Sequence, residues 1–227
     1  MFWIMRHTWP MTLDITVRGS AEERYPAERA LVAMAVAIEG ADKAEVFRNA
    51  VAVQEPLASQ LQELHDRGGV LAWSCDQVRV FSHRPYSPDG TRQELQHVAR
   101  IEVRSEFQDF ERMSGFLDYW SGRIGVEITN VSWDVTAKNR RGYEAEVRKA
   151  AVDDAVQKAQ VFANAVRKGK VMPQQFADPG MLGEAVGAAG APRFAMMSED
   201  VGSGPALNIT PDEIVIHVDV DARFTAD

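Results

Sequence analysis

Residues 143–169, YEAEVRKAAVDDAVQKAQVFANAVRKG, constrain the fold more than any other stretch. Val147, Ala151, Ala155, Ala159, Phe162 and Val166 recur at steps of four or three, which sets them on one face of an α-helix. A second apolar line of Val152, Val156 and Ala163 widens that stripe, while Arg148, Asp153, Lys158 and Arg167 fall away from it. A contact face made mostly of small side chains predicts a helix lying flat on a sheet. Lys168 suits the negative end of the helix dipole, and Gly169 is the residue expected to take the left-handed cap.

The sheet partners show a different period. Leu13, Ile15 and Val17 alternate with Thr12, Asp14, Thr16 and Arg18, as in a half-buried strand, and a polar turn is expected around residues 22–26. Residues 30–38, ALVAMAVAI, are apolar throughout. Their alanines favour a helix, yet the run is short and Gly40 and Asp42 punctuate it, so it reads as a buried strand. Asp42 is then the N-cap of a helix, Glu45 completes a capping box, and Phe47, Ala50, Val51, Leu57, Leu61 and Leu64 form its inner face. Gly68 and Gly69 end that helix, and Pro56 inside it predicts a kink.

Ser87-Pro88-Asp89-Gly90 is a turn sequence. If Tyr86 faces Thr91, Val78, Val80, Leu95, His97, Ala99, Ile101 and Val103 share one face of a hairpin. Arg79, Phe81, His83, Glu94, Gln96, Arg100 and Glu102 share the other, so His83 and His97 cannot ligate one ion. A helix is expected over residues 109–120 with Phe110, Met113, Phe116, Leu117 and Trp120 as its stripe. Ile124, Val126 and Ile128 then alternate in one phase and Val131, Trp133 and Val135 in the other, which predicts a β-bulge near Thr129 and Asn130. In the last strand, Ile214, Ile216, Val218, Val220, Ala222 and Phe224 face one way and Val215, His217, Asp219, Asp221 and Arg223 the other.

Composition excludes some functions. A net charge of −8 argues against a nucleic-acid surface, since phosphate binding needs clustered Lys and Arg. Cys75 is the one cysteine, so no internal disulfide forms. The apolar run at Phe2, Trp3, Ile4 and Met5 is too short for the core of a signal peptide, and no run approaches a membrane span. Cytoplasmic residence is the expectation, with residues 1–11 a leader or disordered and Met11 an alternative start.

Candidate chemistry is sparse. His217, Asp219 and Asp221 supply metal-type ligands at i, i+2 and i+4, but alternate strand positions lie about 6.6 Å apart and cannot close in a line on one ion; a solvated or salt-bridged face is the favoured reading. Cys75 beside Asp76 lacks a feature that would activate it. His97 reads as a core histidine, and His65 as serving its helix end. No phosphate loop, nucleophile elbow or His-Glu-x-x-His pair occurs, and the glycines at 183, 187 and 190 do not follow a strand. No cofactor is expected. Residues 177–207, rich in Gly, Ala, Pro and Met, form an unusually long loop whose Met181, Leu182, Phe194, Met196 and Met197 are either core or a contact surface.

Three segments carry a resemblance: ITVRGSAEERYPAERALV at 15–32, AAVDDAVQKAQVFANAVRKG at 150–169 and ITPDEIVIHVDVDARF at 209–224. Together they resemble the SIMPL-domain family, most specifically in the helix, through Ala151, Asp154-Ala155, Lys158-Ala159 and Gly169. The resemblance implies an α+β fold of two small subdomains, self-assembly, and links in bacterial members to envelope or oxidative-stress phenotypes. It implies no catalytic residues. Many bacterial members are exported, which this chain's start does not match, and Pro211-Asp212 stands where the family would have Pro-Gly.

The expected architecture is therefore α+β, with antiparallel sheets covered by helices and the second subdomain inserted in the first. Residues 12–76 with 141–227 would form the main subdomain and 77–140 the inserted one. The expected function is non-enzymatic, with a stress-related role: a homo-oligomer or partner-binding protein. The alternative is an enzyme, or a small-molecule- or metal-binding protein, with a site between the subdomains built from residues such as His83, Arg100 or Asp219.

Overall fold

A computed structural model describes residues 12–86, 88, 92–182 and 210–227. Its elements are β1 (Leu13–Tyr25), β2 (Arg29–Gly40), α1 (Lys43–Asp66), β3 (Val70–Cys75), β4 (Arg79–His83), β5 (Gln96–Phe107), α2 (Phe110–Ser121), β6 (Val126–Asp134), α3 (Ala137–Ala165), β7 (Met172–Ala177) and β8 (Ile214–Ala226). Antiparallel strand pairing and three helices make the chain α+β.

Two compact units divide the described residues. One holds 12–25, 137–182 and 215–227; the other holds 26–136 with 210–214. This corrects the boundaries expected at 76/77 and 140/141. β2 and β3 both pair with β5, so residues 26–76 belong with the hairpin rather than with the long helix. Hydrogen bonding across strands distant in sequence set the division, and no local signal at residue 76 reports it.

In the first unit the strands are ordered β1-β8-β7 and α3 lies against β1. Val147, Ala151, Ala155, Ala159 and Ala163 are buried in one strict four-residue row. Each alanine methyl contributes only about 0.8 kcal/mol, so this helix holds by close approach rather than by bulk. Gly19 permits that approach, because a Cβ built there would stand 2.7 Å from the Ala155 Cβ. Phe162 and Val166, expected on this face, are 57% and 56% exposed. Phe162 is one residue, about 100°, from Ala163, and the tight alanine row leaves no room for it. Asp154 accepts the Ser20 amide at 2.8 Å and pairs with Lys158 at 2.6 Å, while Lys158 donates to the Arg18 carbonyl at 3.1 Å. Helix side chains thus occupy backbone groups of an outer strand that would otherwise be open to pairing.

The ends of α3 also differ from expectation. It begins six residues before Tyr143. It ends with Arg167, not Gly169, in the left-handed conformation at φ 59°. Lys168 donates to Ala163 at 2.9 Å and Arg167 to Asn164 at 3.0 Å, the paired bonds of a Schellman cap. β1 continues to Tyr25, so the turn expected at residues 22–26 is displaced to residues 26–28.

The second unit has the order β3-β5-β2-β6, with β4 also on β5. The all-apolar run is the central strand β2, so flanking strands overrode its helical propensity. Its Ala30, Val32, Met34 and Val36 join α1 and α2 in one core. Asp42 caps α1, accepting from Ala44 and Glu45 at 2.7 and 2.9 Å. The helix continues past Pro56, and Val46 rather than Phe47 faces inward. Asp109 caps α2, whose Met113, Phe116, Leu117 and Trp120 are buried as read.

β4 and β5 pair with residue numbers summing to 179, as in Val80 with Ala99, instead of the expected 177. The slip is an even number, so each face keeps its residues, and His83 and His97 stay on opposite faces. Ser87, Asp89 and Gly90 of the turn lie outside the described residues. The bulge is where the phase change put it: Ala33 pairs with Asn130 and Met34 with Ile128, which skips Thr129. Thr129 Oγ1 donates to the Ala33 carbonyl at 2.8 Å. Ile124 precedes β6 and is exposed.

Candidate interaction surface

β8 sends Ile216, Val220, Ala222 and Phe224 inward, and its intervening positions carry His217, Asp219, Asp221 and Arg223. Asp221 is the most engaged of these. Arg18 of β1 reaches it through Nε at 2.7 Å and Nη2 at 3.2 Å, a forked pair, and the Gly180 amide donates to it at 2.7 Å. The guanidinium beside it, with that amide, holds the Asp221 carboxyl below the usual carboxylate range despite partial burial. Arg18 is correspondingly raised.

Arg223 donates to the Leu182 carbonyl at 3.2 Å. Asp221 and Arg223 therefore hold residues 180–182, the segment that follows β7, at two backbone points. His217 pairs with Asp219 at 3.1 Å. The three residues singled out as weak metal candidates thus divide into a His–Asp pair and a carboxylate committed to Arg18 and Gly180. No group of three or more metal-type ligands forms among the described residues.

The pinned segment carries two of the five residues read as a contact surface. Met181 is 74% exposed and Leu182 half-buried. Phe194, Met196 and Met197 lie outside the described residues. β7, a strand the sequence did not suggest, adds exposed Met172 and Phe176 on the outer strand of the sheet. Phe176 also stands edge-on to buried Phe224 at 5.9 Å. The outward charges of β8 were legible as a solvated or salt-bridged face, but nothing local shows that Asp221 and Arg223 hold residues 180–182.

The other candidates sit in the second unit. Cys75 is half-buried, and burial pushes its thiol up. His97 Nδ1 is 2.7 Å from Ser82 Oγ, and His83 pairs with Glu39 at 3.4 Å. His65 lies in the last turn of α1, 3.6 Å from Asp66. Arg100 bonds Glu127 at 2.9 Å and Glu102 at 3.3 Å. A depression of ≈ 360 Å³ opens on the five-stranded sheet, lined by Leu31, Ala33, Ala72, Ser74, Arg104 and Ser132 among others.

No described helix is long and apolar enough to cross a membrane. No curated protein matches the chain. The family model SIMPL, described as "Protein of unknown function (DUF541)", matches residues 15–224. That span takes in both units, the alanine row of α3 and the outward charges of β8, and by it the chain belongs to the SIMPL family.

Proposed function

We propose that the protein works by association, with another copy of itself or a protein partner, and that residues 172–182 are part of the contact. The observation that carries this reading is the exposure of Met181 on a backbone pinned by Asp221 and Arg223. A large apolar side chain in water gains by being covered, and a segment already held in place loses less conformational entropy on docking. Methionine suits such a role because its flexible thioether adapts to varied partners. Met172, level with Thr225, adds exposed apolar surface on the same charged face of the sheet, whereas Phe176 is level with Ala222 and lies on the other face.

Light scattering across a concentration series tests this. The wild-type chain is expected to self-associate, and Met181→Asp is expected to weaken that association at least about tenfold by burying a charge at the contact. Wild type and Met181→Asp behaving identically would remove the pinned segment from the contact.

A further inference from the structure

The outer face of the five-stranded sheet carries a second pattern. Along β5, Arg100, Glu102, Arg104 and Glu106 stand opposite the inward row of Ala99, Ile101, Val103 and Phe107. Their charges alternate in sign at steps of about 7 Å. Read from either end, this row is its own complement. A second copy laid on the face about a two-fold axis crossing β5 at Val103 sets Arg100 against Glu106 and Glu102 against Arg104, twice over.

The neighbouring strands obey the same symmetry. Ala35 lies beside Glu102 and Ala33 beside Arg104; Ala35 is already covered by its own neighbours, so no bulky side chain stands in the way near the axis. Glu127 lies level with Ala35 and Asn130 with Ala33, so the carboxylate meets an amide. Asp76, whose amide bonds Glu102, meets Ser74, which lies beside Arg104. None of these positions opposes like charges.

Arg104 is the charge least committed within the chain. It is 3.9 Å from both Asp76 and Glu102 and its side chain is 61% exposed, whereas Arg100 holds Glu127 at 2.9 Å and Arg29 holds Glu106 at 2.8 Å. We propose that this face docks a second copy of the chain in that two-fold arrangement. The proposal rests on the association reading above and names its partner. Four strands abreast and about seven residues long offer roughly 500 Å² per copy, the low end for a specific interface. The dimer is therefore weak, and charge sets its register and its sensitivity to salt.

Sedimentation velocity on the full chain, at about 50 mM and about 500 mM KCl, tests the proposal. The wild-type dimer is expected to weaken at least about tenfold at the higher salt. Arg104→Glu opposes like charges at two places and is expected to raise Kd at least about tenfold. Combining it with Glu102→Arg restores the complement with signs exchanged, and is expected to return Kd to within about threefold of wild type. Circular dichroism checks that each variant is folded, and the double variant reads the same contacts if the single one is not. A dimer indifferent to salt and to both variants would overturn this face and leave association standing. A monomer at every concentration would overturn this face and self-association altogether, leaving a different protein as the only partner for residues 172–182.

Discussion

Gly19 of β1 lies so close beneath Ala155 of α3 that a Cβ built on the glycine would stand 2.7 Å from the alanine's own methyl. It would also press into the Ala151 carbonyl oxygen. Gly19→Ala must therefore push the helix off the strand. The expected loss is about 3 kcal/mol, at the upper end for overpacking, read as a lower urea midpoint. Gly142, also near the long helix's sequence, has nothing within 4 Å and sits inside α3. Gly142→Ala is expected to gain up to about 1 kcal/mol through helix propensity alone. The opposite signs separate packing from propensity on the same helix.

Arg167 holds the left-handed cap at φ 59° with a side chain that disfavours it. Glycine adopts that conformation without the clash of a Cβ. Arg167→Gly should stabilise the protein by about 1 kcal/mol, measured by thermal or urea unfolding. Destabilisation would mean that the guanidinium holds the helix end in some other way.

Asp221 links pH to the pinned segment. Its folded pKa lies below the ordinary value of 3.8 because Arg18 and the Gly180 amide favour the carboxylate. A depressed carboxylate pKa adds stability that is fully present above the unfolded pKa and is lost as pH falls through the folded one. Asp221→Asn should therefore cost about 1–2 kcal/mol at pH 7, and the difference from wild type should shrink below about pH 4. Hydrogen exchange at the Gly180 amide should speed up in the variant, since its acceptor is weakened.

Ser105 is 3% exposed, and its hydroxyl oxygen has no hydrogen-bond partner among the described residues. A buried hydroxyl without a partner costs free energy that a methyl does not. Ser105→Ala is expected to raise stability by up to about 1 kcal/mol, visible as a higher melting temperature. A loss of stability would point to a partner for the hydroxyl.

Legibility followed the range of the forces involved. Asp42 and the bulge at Thr129 act within a few residues, and spacing exposed both, whereas Asp109 was counted into its helix and proves to be the cap. The faces of β5 survived a wrong register, since their alternation depends only on parity. β3 and β7 were missed because each is six residues long, and pairing with a distant strand, not composition, makes them strands. Of the candidate surface, Met181 and Leu182 were legible as apolar residues in a Gly- and Pro-rich stretch. Their anchors, Asp221 and Arg223, lie 41 residues away along the chain.

The order of residues alone determined which side chains share a face of each long element, because backbone geometry fixes the periods of helix and strand. It thereby determined the α+β class and the small-residue row of α3. Tertiary structure decided how those faces were used. Contact with β1 chose Ala163 over Phe162, strand pairing joined residues 26–76 to the hairpin, and Arg18 with Gly180 made Asp221 an anchor. Those choices depend on groups that meet only after the chain has folded.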